Sequence, residues 1–432
     1  MKKTAVLLTF GLFSCASLSF FPGLAQEPGK FNYDESQVGT YTLPPLLQTT
    51  GGQKITSATQ WNTTQRPALL KLFADNVYGR LPGKPAGMHY KVVSEDKQAL
   101  GGKAILKQVT IYFTPADTGA SMDVLLFLPK QAKGPVPVFA GLNFKGNHTV
   151  HPDPQIKVTS RWVAEDKNAG ITGNRANEQT RGLQASRWVV EEIIARGYGL
   201  ATAYYGDLEP DYPEGYKTGI RTQLRKNLKI QPNEWGAIGA WAWGMSRMLD
   251  YLETEPAVNA KKVALQGHSR IGKAALWAGV NDPRFAIIIS NESGEGGAAL
   301  ARRWYGETVA RLNEAFPHWF SPNYRKFDHN PNQMPVDQHQ LLALVAPRPL
   351  YVASAQEDQW SDPKGEFLSA QATAPVYALF GKKGIDSSAM PGLNQPVGET
   401  VRYHNRSGKH DVTLYDWQQY LSFADKHFGQ AQ

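Results

Sequence analysis

A chain of 432 residues that is 41% hydrophobic and 19% charged has ample length to bury a core, which excludes a disordered protein. Its 40 glycines and 28 prolines follow no period, so collagen-like and low-complexity architectures are excluded too. The formal charge of +8 is mild, and no Lys/Arg run resembles a nucleic-acid arm, so no nucleic-acid partner is expected.

Residues 1–25 read as a secretory signal peptide. Lys2 and Lys3 form the positive start, residues 5–21 are uncharged and mostly apolar, and Gly23 and Ala25 put small residues at −3 and −1 of a cut after Ala25. The competing lipoprotein pattern ahead of Cys15 fits poorly, because Phe13 is bulky and apolar sequence continues past Cys15. No other stretch reaches the roughly 20 apolar residues of a membrane span, so the expectation is an exported protein, periplasmic or extracellular, with no membrane span. Cys15 is the only cysteine. A mature chain starting at 26 then has no disulfide, no Cys nucleophile and no Cys-based zinc site.

Residues 26–432 read as a single catalytic domain. Its first part, 26–100, is mixed in character and punctuated by Pro44-Pro45, Pro82 and Pro85, which suggests a wrapping N-terminal segment. Short apolar runs at 104–113, 122–128, 136–142, 199–205, 263–266, 286–290 and 350–353 predict strands. Helical patterns fall at 188–195, 235–252, 273–279, 298–316 and 414–428. Alternation of the two predicts an α/β protein with a mostly parallel sheet sandwiched by helices. Residues 150–185 are polar and aperiodic, the pattern of an insertion lying over the functional face.

Chemistry concentrates where the strand 262–266 meets the helix beginning near Lys273. Between them lies Gly267-His268-Ser269-Arg270-Ile271-Gly272. A serine at the apex of a sharp strand-to-helix turn has the geometry of a nucleophile elbow, with the helix N-terminus aimed at a forming oxyanion. The spacing is Gly-x-Ser-x-x-Gly, and an ordinary helix-capping serine fits the same turn. The overlapping Gly267-to-Ala274 stretch is one residue from a phosphate-binding loop, but Ala274 lacks the hydroxyl that would hold Mg²⁺.

A serine nucleophile needs a base, and the base an orienting acid. In α/β-hydrolase order these follow the serine, acid before histidine. His410 stands in the expected late position, just before the 414–428 helix; His404 is its competitor and reads as a surface residue. Two acids are available. Asp358 follows the 350–353 strand and Glu292 follows the 286–290 strand, so both should reach the same sheet edge. Topology alone favours Asp358. No metal or cofactor is expected.

Taken together, Gly267-His268-Ser269-Arg270-Ile271-Gly272-Lys273 and Glu292-Ser293-Gly294-Glu295-Gly296-Gly297 resemble the motifs of the glucuronoyl esterases, carbohydrate esterase family 15. Leu142 to His148 and Gly239 to Gly244 are also similar, and the likeness runs from about 120 to 428. The resemblance implies an α/β-hydrolase fold and cleavage of esters between 4-O-methyl-glucuronic acid groups of xylan and lignin alcohols, so that glucuronoxylan or a lignin–carbohydrate ester is the substrate partner. It implies Ser269 as nucleophile, His410 as base, Glu292 as the family's acid and Asp358 as a second acid of bacterial members. Arg270 matches an oxyanion-binding arginine, and Lys273, Glu307 and Trp360 match sugar-contacting positions. Many fungal members carry a disulfide joining the residue before the serine to a position beside the histidine. Here those places are His268 and Lys409, so that staple is absent, as in a bacterial form. Two other readings share the fold: an acetyl-xylan-type esterase and an inactive carbohydrate-binding relative.

Overall fold

The computed structural model describes residues 31–231 and 234–429. The signal-peptide reading of residues 1–25 lies outside the described residues. Nine strands form one sheet: β1 His89–Gln98, β2 Ala104–Tyr112, β3 Ser121–Pro129, β4 Val136–Asn143, β5 Gly199–Tyr204, β6 Val258–His268, β7 Ile287–Asn291, β8 Leu350–Ala355 and β9 Val401–Arg406. Their spatial order is β1-β2-β3-β5-β4-β6-β7-β8-β9. The contacts β1/β2, β2/β3 and β3/β5 are antiparallel and all the rest are parallel.

Every residue of β4, β5, β7 and β8 is buried, as a parallel strand covered on both faces requires. Strand alternation sends Val124, Leu126, Val138, Val263, Ile288 and Val352 to one core, shared with the helices Ala237–Leu252 and Arg270–Asn281. Leu125, Phe127, Phe139, Ala264, Ile287 and Tyr351 face the opposite core, shared with Val190–Ala195 and Leu414–Phe428. This is the doubly covered sheet of an α/β-hydrolase. The helix Ala237–Leu252 is buried along its whole length; its Arg247 and Asp250 neutralise each other at 2.6 Å. Among the described residues no helix is long and apolar enough to cross a membrane.

The structure departs from the expected elements in four places. β1 lies within 26–100, and most of its side chains are exposed because it is an edge strand, so it shows no apolar pattern. β9 reads Val-Arg-Tyr-His-Asn-Arg and yet is buried, since His404 and Arg406 both pair with Asp416. The expected helix at 298–316 is a short turn at Ala301–Arg303 and a helix at Val309–Ala315, divided by Trp304 and Gly306, both at positive φ. A Cβ on Gly306 would lie 2.4 Å from the Trp360 carbonyl oxygen, so close backbone approach decides that break. The 188–195 pattern is divided at Val189, φ +33.

Residues near the N-terminal end of the described chain lie against the later loops: Gly306 N donates to Asn32 O at 2.9 Å, and the His339 ring bonds Pro44 O at 2.9 Å. Residues 150–184 hold only short 3₁₀ turns and isolated bridges, tied to β5 where Tyr204 Oη donates to Trp162 O at 2.7 Å.

Phe139 fills the second core between Tyr198 and Trp417, with ring centroids at 5.1 and 5.4 Å. Phe139→Ala is expected to lower unfolding free energy by about 3–5 kcal/mol in denaturant titration, without changing the far-UV spectrum of the folded state.

Candidate active site

The carboxyl ends of four neighbouring parallel strands, β6 to β9, deliver the chemistry-bearing side chains to one sheet edge, where such folds place their sites. Ser269 follows β6 directly and holds φ +57, ψ −132, a strained conformation for a residue with a side chain. Its N–H donates to Asn291 O at the end of β7 (2.9 Å), and its carbonyl accepts from Gly272 N and Lys273 N at 2.8 and 3.2 Å. Glycine is required on both sides of this turn. A Cβ on Gly267 would sit 2.3 Å from Ile271 O, and one on Gly272 would sit 2.9 Å from Ser293 Cβ. The helix starts at Arg270, so the first N–H groups after the serine have no intrahelical acceptor.

His410 arrives from the loop after β9. Its Nδ1 lies 2.6 Å from Asp358 Oδ2 and 3.1 Å from Glu292 Oε2, so both acids engage the same ring nitrogen and Nε2 is left for other work. The ring stands 4.4 Å from that of His268, the residue preceding the serine, and its side chain is 38% exposed. Burial alone would lower the His410 pKa, but the charge and hydrogen bond of Asp358, joined by Glu292, raise it well above 6.5. Burial favours the neutral form of Asp358, yet His410 and the Ser361 hydrogen bonds outweigh it and hold the carboxyl below its ordinary range. Glu292 differs. Burial, with Asp358 nearby, pushes it up to about 7 despite His410 and Arg406.

Glu292 is at φ +46 and only 1% exposed, and it is held from three sides. Its Oε1 accepts from Arg406 Nη2 at 2.7 Å, and its Oε2 accepts from Asp411 N at 3.0 Å as well as facing His410. Arg406 also donates from Nη2 to the carbonyls of Lys409 (2.9 Å) and Asp411 (2.6 Å), the two neighbours of His410. Its Nε reaches Asp416 Oδ2 at 2.8 Å. One guanidinium thus grips the acid, the loop carrying the imidazole and the first turn of the last helix. Beneath them, Glu366 accepts from Ser293 N, Gly294 N and Ser354 Oγ at 2.8, 3.0 and 2.6 Å.

Arg270 pairs with Asp211 and lies over Trp319, its Cζ 4.8 Å from the ring centroid. Asp211 also accepts from the His318 ring (2.8 Å), Trp319 Nε1 (2.7 Å) and Tyr205 Oη (3.2 Å); the Arg270 charge first, then His318 and Trp319, hold it strongly acidic against its burial. Arg270 Nε is buried and makes no hydrogen bond. Lys273 is 2% exposed and spends its three donors on Ser293 O (2.6 Å), Glu295 O (2.6 Å) and Glu307 Oε2 (2.7 Å). Trp360 Nε1 donates to Glu307 Oε1 at 2.6 Å, which completes a Lys273–Glu307–Trp360 chain.

A family model described as "Glucuronyl esterase, fungi" matches residues 227–381. A carbohydrate esterase named MZ0003, from an unknown prokaryotic organism, is 47% identical over 429 residues, 99% of each chain. A solved glucuronoyl esterase from Solibacter usitatus is 53% identical, with a TM-score of 0.86 over 91% of this chain and 100% of that one. The chain belongs to the glucuronoyl esterases, carbohydrate esterase family 15. A solved member from a marine bacterial metagenome, described as a promiscuous esterase of this family, is 49% identical over 92% of this chain and 100% of its own, TM-score 0.86.

Within this glucuronoyl esterase fold the expected site residues gather as two groups. His410, Asp358 and Glu292 meet beside the Ser269 turn, and Lys273, Glu307 and Trp360 link to one another against the Ser293 and Glu295 carbonyls, with Arg270 apart on Asp211. His404 departs from its reading as a surface residue: it is fully buried, bonded to Asp416 (2.9 Å) and Tyr351 Oη (2.8 Å), because it points inward from β9. Sequence reasoning missed Asp211, Arg406 and Glu366. Arg406 stands four residues before His410 and was the most findable, as a buried acid beside an imidazole calls for a cation nearby. His268, Glu292 and His410 each bring one potential metal-ligand atom within 4.8 Å of the others. Those side chains already serve hydrogen bonds: the His268 Nδ1 contact with Asn291 Oδ1 is 2.5 Å, and Glu292 shares its charge with Arg406.

Arg406→Met removes the cation shared by two buried carboxylates, Glu292 and Asp416. Urea titration is expected to show a loss of about 3–5 kcal/mol. Lys71→Met, which breaks the exposed pair with Asp75 (side chains 74% and 52% exposed), should cost under about 1 kcal/mol.

Proposed function

We propose that the chain hydrolyses esters of 4-O-methyl-glucuronic acid, of the kind joining glucuronoxylan to lignin alcohols, through an acyl-enzyme on Ser269. The observation that carries this reading is the 2.6 Å contact between His410 Nδ1 and Asp358, made beside the strained Ser269 turn. A proton fixed on Nδ1 leaves Nε2 as the basic nitrogen, the tautomer that general-base catalysis needs.

In this mechanism His410 Nε2 removes the Ser269 proton as Oγ attacks the uronate carbonyl carbon. The oxyanion is met by the Arg270 guanidinium and by N–H groups opening the helix. The C–O bond to the alcohol breaks, and the alcohol departs with the proton from His410. Water, activated by the same imidazole, then attacks the acyl-enzyme, and Ser269 regains its proton. Asp358 serves as the principal orienting acid: it makes the shorter contact and stays ionised, whereas Glu292 is raised toward neutrality. Glu292 chiefly fixes the His410 loop through Asp411 N. Glu307 and Trp360 meet the sugar. Lys273 anchors Glu307, and it reaches a sugar hydroxyl only by releasing one of its three acceptors. Residues 1–25 direct export.

Ser269→Ala is expected to reduce kcat on a benzyl ester of glucuronic acid by at least about 10⁴, and Arg270→Ala by roughly 10²–10³. Retained turnover in Ser269→Ala would overturn the proposal, and release of acetate from acetyl-xylan without cleavage of the uronate ester would redirect it to the other esterase.

The imidazole must be neutral to accept the serine proton, so kcat/KM falls as pH drops through the His410 pKa. Since the carboxylates raise that pKa, the acid limb should lie above pH 6.5 in the wild type. Asp358→Asn removes the main raising charge, so its limb is expected at lower pH together with a reduced plateau. An unmoved limb would show that Asp358 does not face the catalytic imidazole.

A further inference from the structure

Between residues 215 and 231 the sequence holds five cations, Lys217, Arg221, Arg225, Lys226 and Lys229, and no carboxylate side chain. The fold separates this stretch by polarity. Ile220, Leu224, Leu228 and Ile230 are buried and pin it to the domain, while Lys217, Arg225, Lys226 and Lys229 are exposed. The final turn is closed by Leu228 N to Leu224 O (2.9 Å) and Ile230 N to Arg225 O (3.0 Å), which present Arg225, Lys226 and Lys229 on a fixed backbone. A solvated helix face ordinarily mixes both signs; here one sign occupies the whole segment.

Two of the five cations, Arg221 and Arg225, line a cavity of about 290 Å³ together with Tyr216 and Trp235, and Lys226 and Lys229 follow in the same exposed stretch. Tyr216 is 42% exposed, and the Arg221 Cζ stands 5.5 Å from its ring centroid. A half-exposed aromatic ring in the same cavity as Arg225, which forms no ion pair among the described residues, suits a sugar ring bearing a carboxylate. Among the five, only Arg221 forms an ion pair among the described residues: its Nε donates to the buried Glu209 Oε1 at 2.5 Å, and its Nη1 donates to Trp235 O at 2.9 Å. The cavity is therefore built on a neutralised arginine, and the remaining positive charge is available to a ligand.

Its position relates it to the ester site. Glu209, which holds Arg221, lies two residues from Asp211, which holds Arg270. Beyond Trp235, Ala237 N donates to His318 O at 2.8 Å, and His318 contacts Asp211. One short stretch of chain thus ties both sites to the same frame.

We propose that the groove around Tyr216, Arg221 and Arg225 is a second binding site, for a free uronate carboxylate on the same polysaccharide that presents the ester. This rests on the reading of the chain as a uronate-ester hydrolase. An esterified uronate is neutral, so the ester site gains nothing from positive charge at long range. A neighbouring free uronate on the chain is an anion, and a single-sign patch draws it in within a Debye length, ~8–10 Å at ordinary salt. The second site holds the polymer while the first acts on it.

The test separates binding from turnover. Retention on glucuronoxylan and on the same xylan with its carboxyl groups reduced is measured for Ser269→Ala protein at low and high salt. The expected result is retention on glucuronoxylan that is weakened by salt and largely lost on the reduced polymer. Adding Arg225→Gln, Lys226→Gln and Lys229→Gln should weaken retention about tenfold, from three exposed ion pairs each worth roughly a factor of two. In the active background the triple variant should turn over a small benzyl glucuronate ester within twofold of wild type. Equal retention on both polymers, or a triple variant that binds as tightly as its parent, would overturn the proposal. Loss of ester turnover in the wild type would sink the catalytic reading while leaving the binding result separately legible.

Discussion

The site depends on keeping several charges stable where water is scarce. Glu292 and Asp358 face the His410 imidazole, Glu292 and Asp416 face the Arg406 guanidinium, and Glu366 lies beneath them. Isolated charges in such a place would cost several kcal/mol each, so the arrangement survives only because each has a partner. Arg406 is the shared counter-ion. It satisfies Glu292 and Asp416 directly and takes the backbone on either side of His410 as further acceptors. Asp358 is thereby left to the imidazole. The raised pKa of Glu292 and the depressed one of Asp358 are the electrostatic record of that division, in which two similar acids at one nitrogen are driven apart by their surroundings.

The same guanidinium bears on an absence. The resemblance to the glucuronoyl esterases brought an expectation of a disulfide near the histidine in fungal members, and this chain has His268 and Lys409 at those positions. In its place the structure has two non-covalent restraints. The His268 ring lies against His410 at 4.4 Å and is itself fixed by Asn291, while Arg406 clamps the carbonyl of Lys409. A covalent link restricts the unfolded chain, whereas these contacts act only once the sheet has formed. The position of His410 therefore depends on β9 being in register with β8, which couples the imidazole to the integrity of the sheet edge.

What was legible in the sequence follows the same logic. β4, β5, β7 and β8 were visible because strands covered on both faces must be apolar, and the Ser269 turn was visible because close contacts call for glycine on either side of the serine. β9 was hidden because His404 and Arg406 are buried polar side chains whose shared partner, Asp416, lies twelve residues beyond His404 and ten beyond Arg406. His404 was misjudged for that reason: a histidine in a polar run looks solvated until its partner is known. The choice between Glu292 and Asp358 was likewise beyond reach, since both follow a strand of the same edge and differ only in what neutralises them. Lys273 was assigned to the sugar by likeness, yet one helical turn past Ser269 it lies under the Ser293–Glu295 backbone, where its three donors are consumed.

Arg270 shows why rigidity matters more here than charge alone. In the oxyanion role proposed for Arg270, a guanidinium free to swing would reorganise as the charge formed and would lose much of its advantage. Asp211 prevents this, because it is itself bound by His318, Trp319 and Tyr205, three groups from two separate segments of the chain. Trp319 also flanks the Arg270 cation, so the side chain is restrained both by its ion pair and by the ring face. The cost is a partly neutralised positive charge. For the oxyanion role proposed for Arg270, the return is a guanidinium held in place before negative charge develops, the preorganisation on which such stabilisation depends.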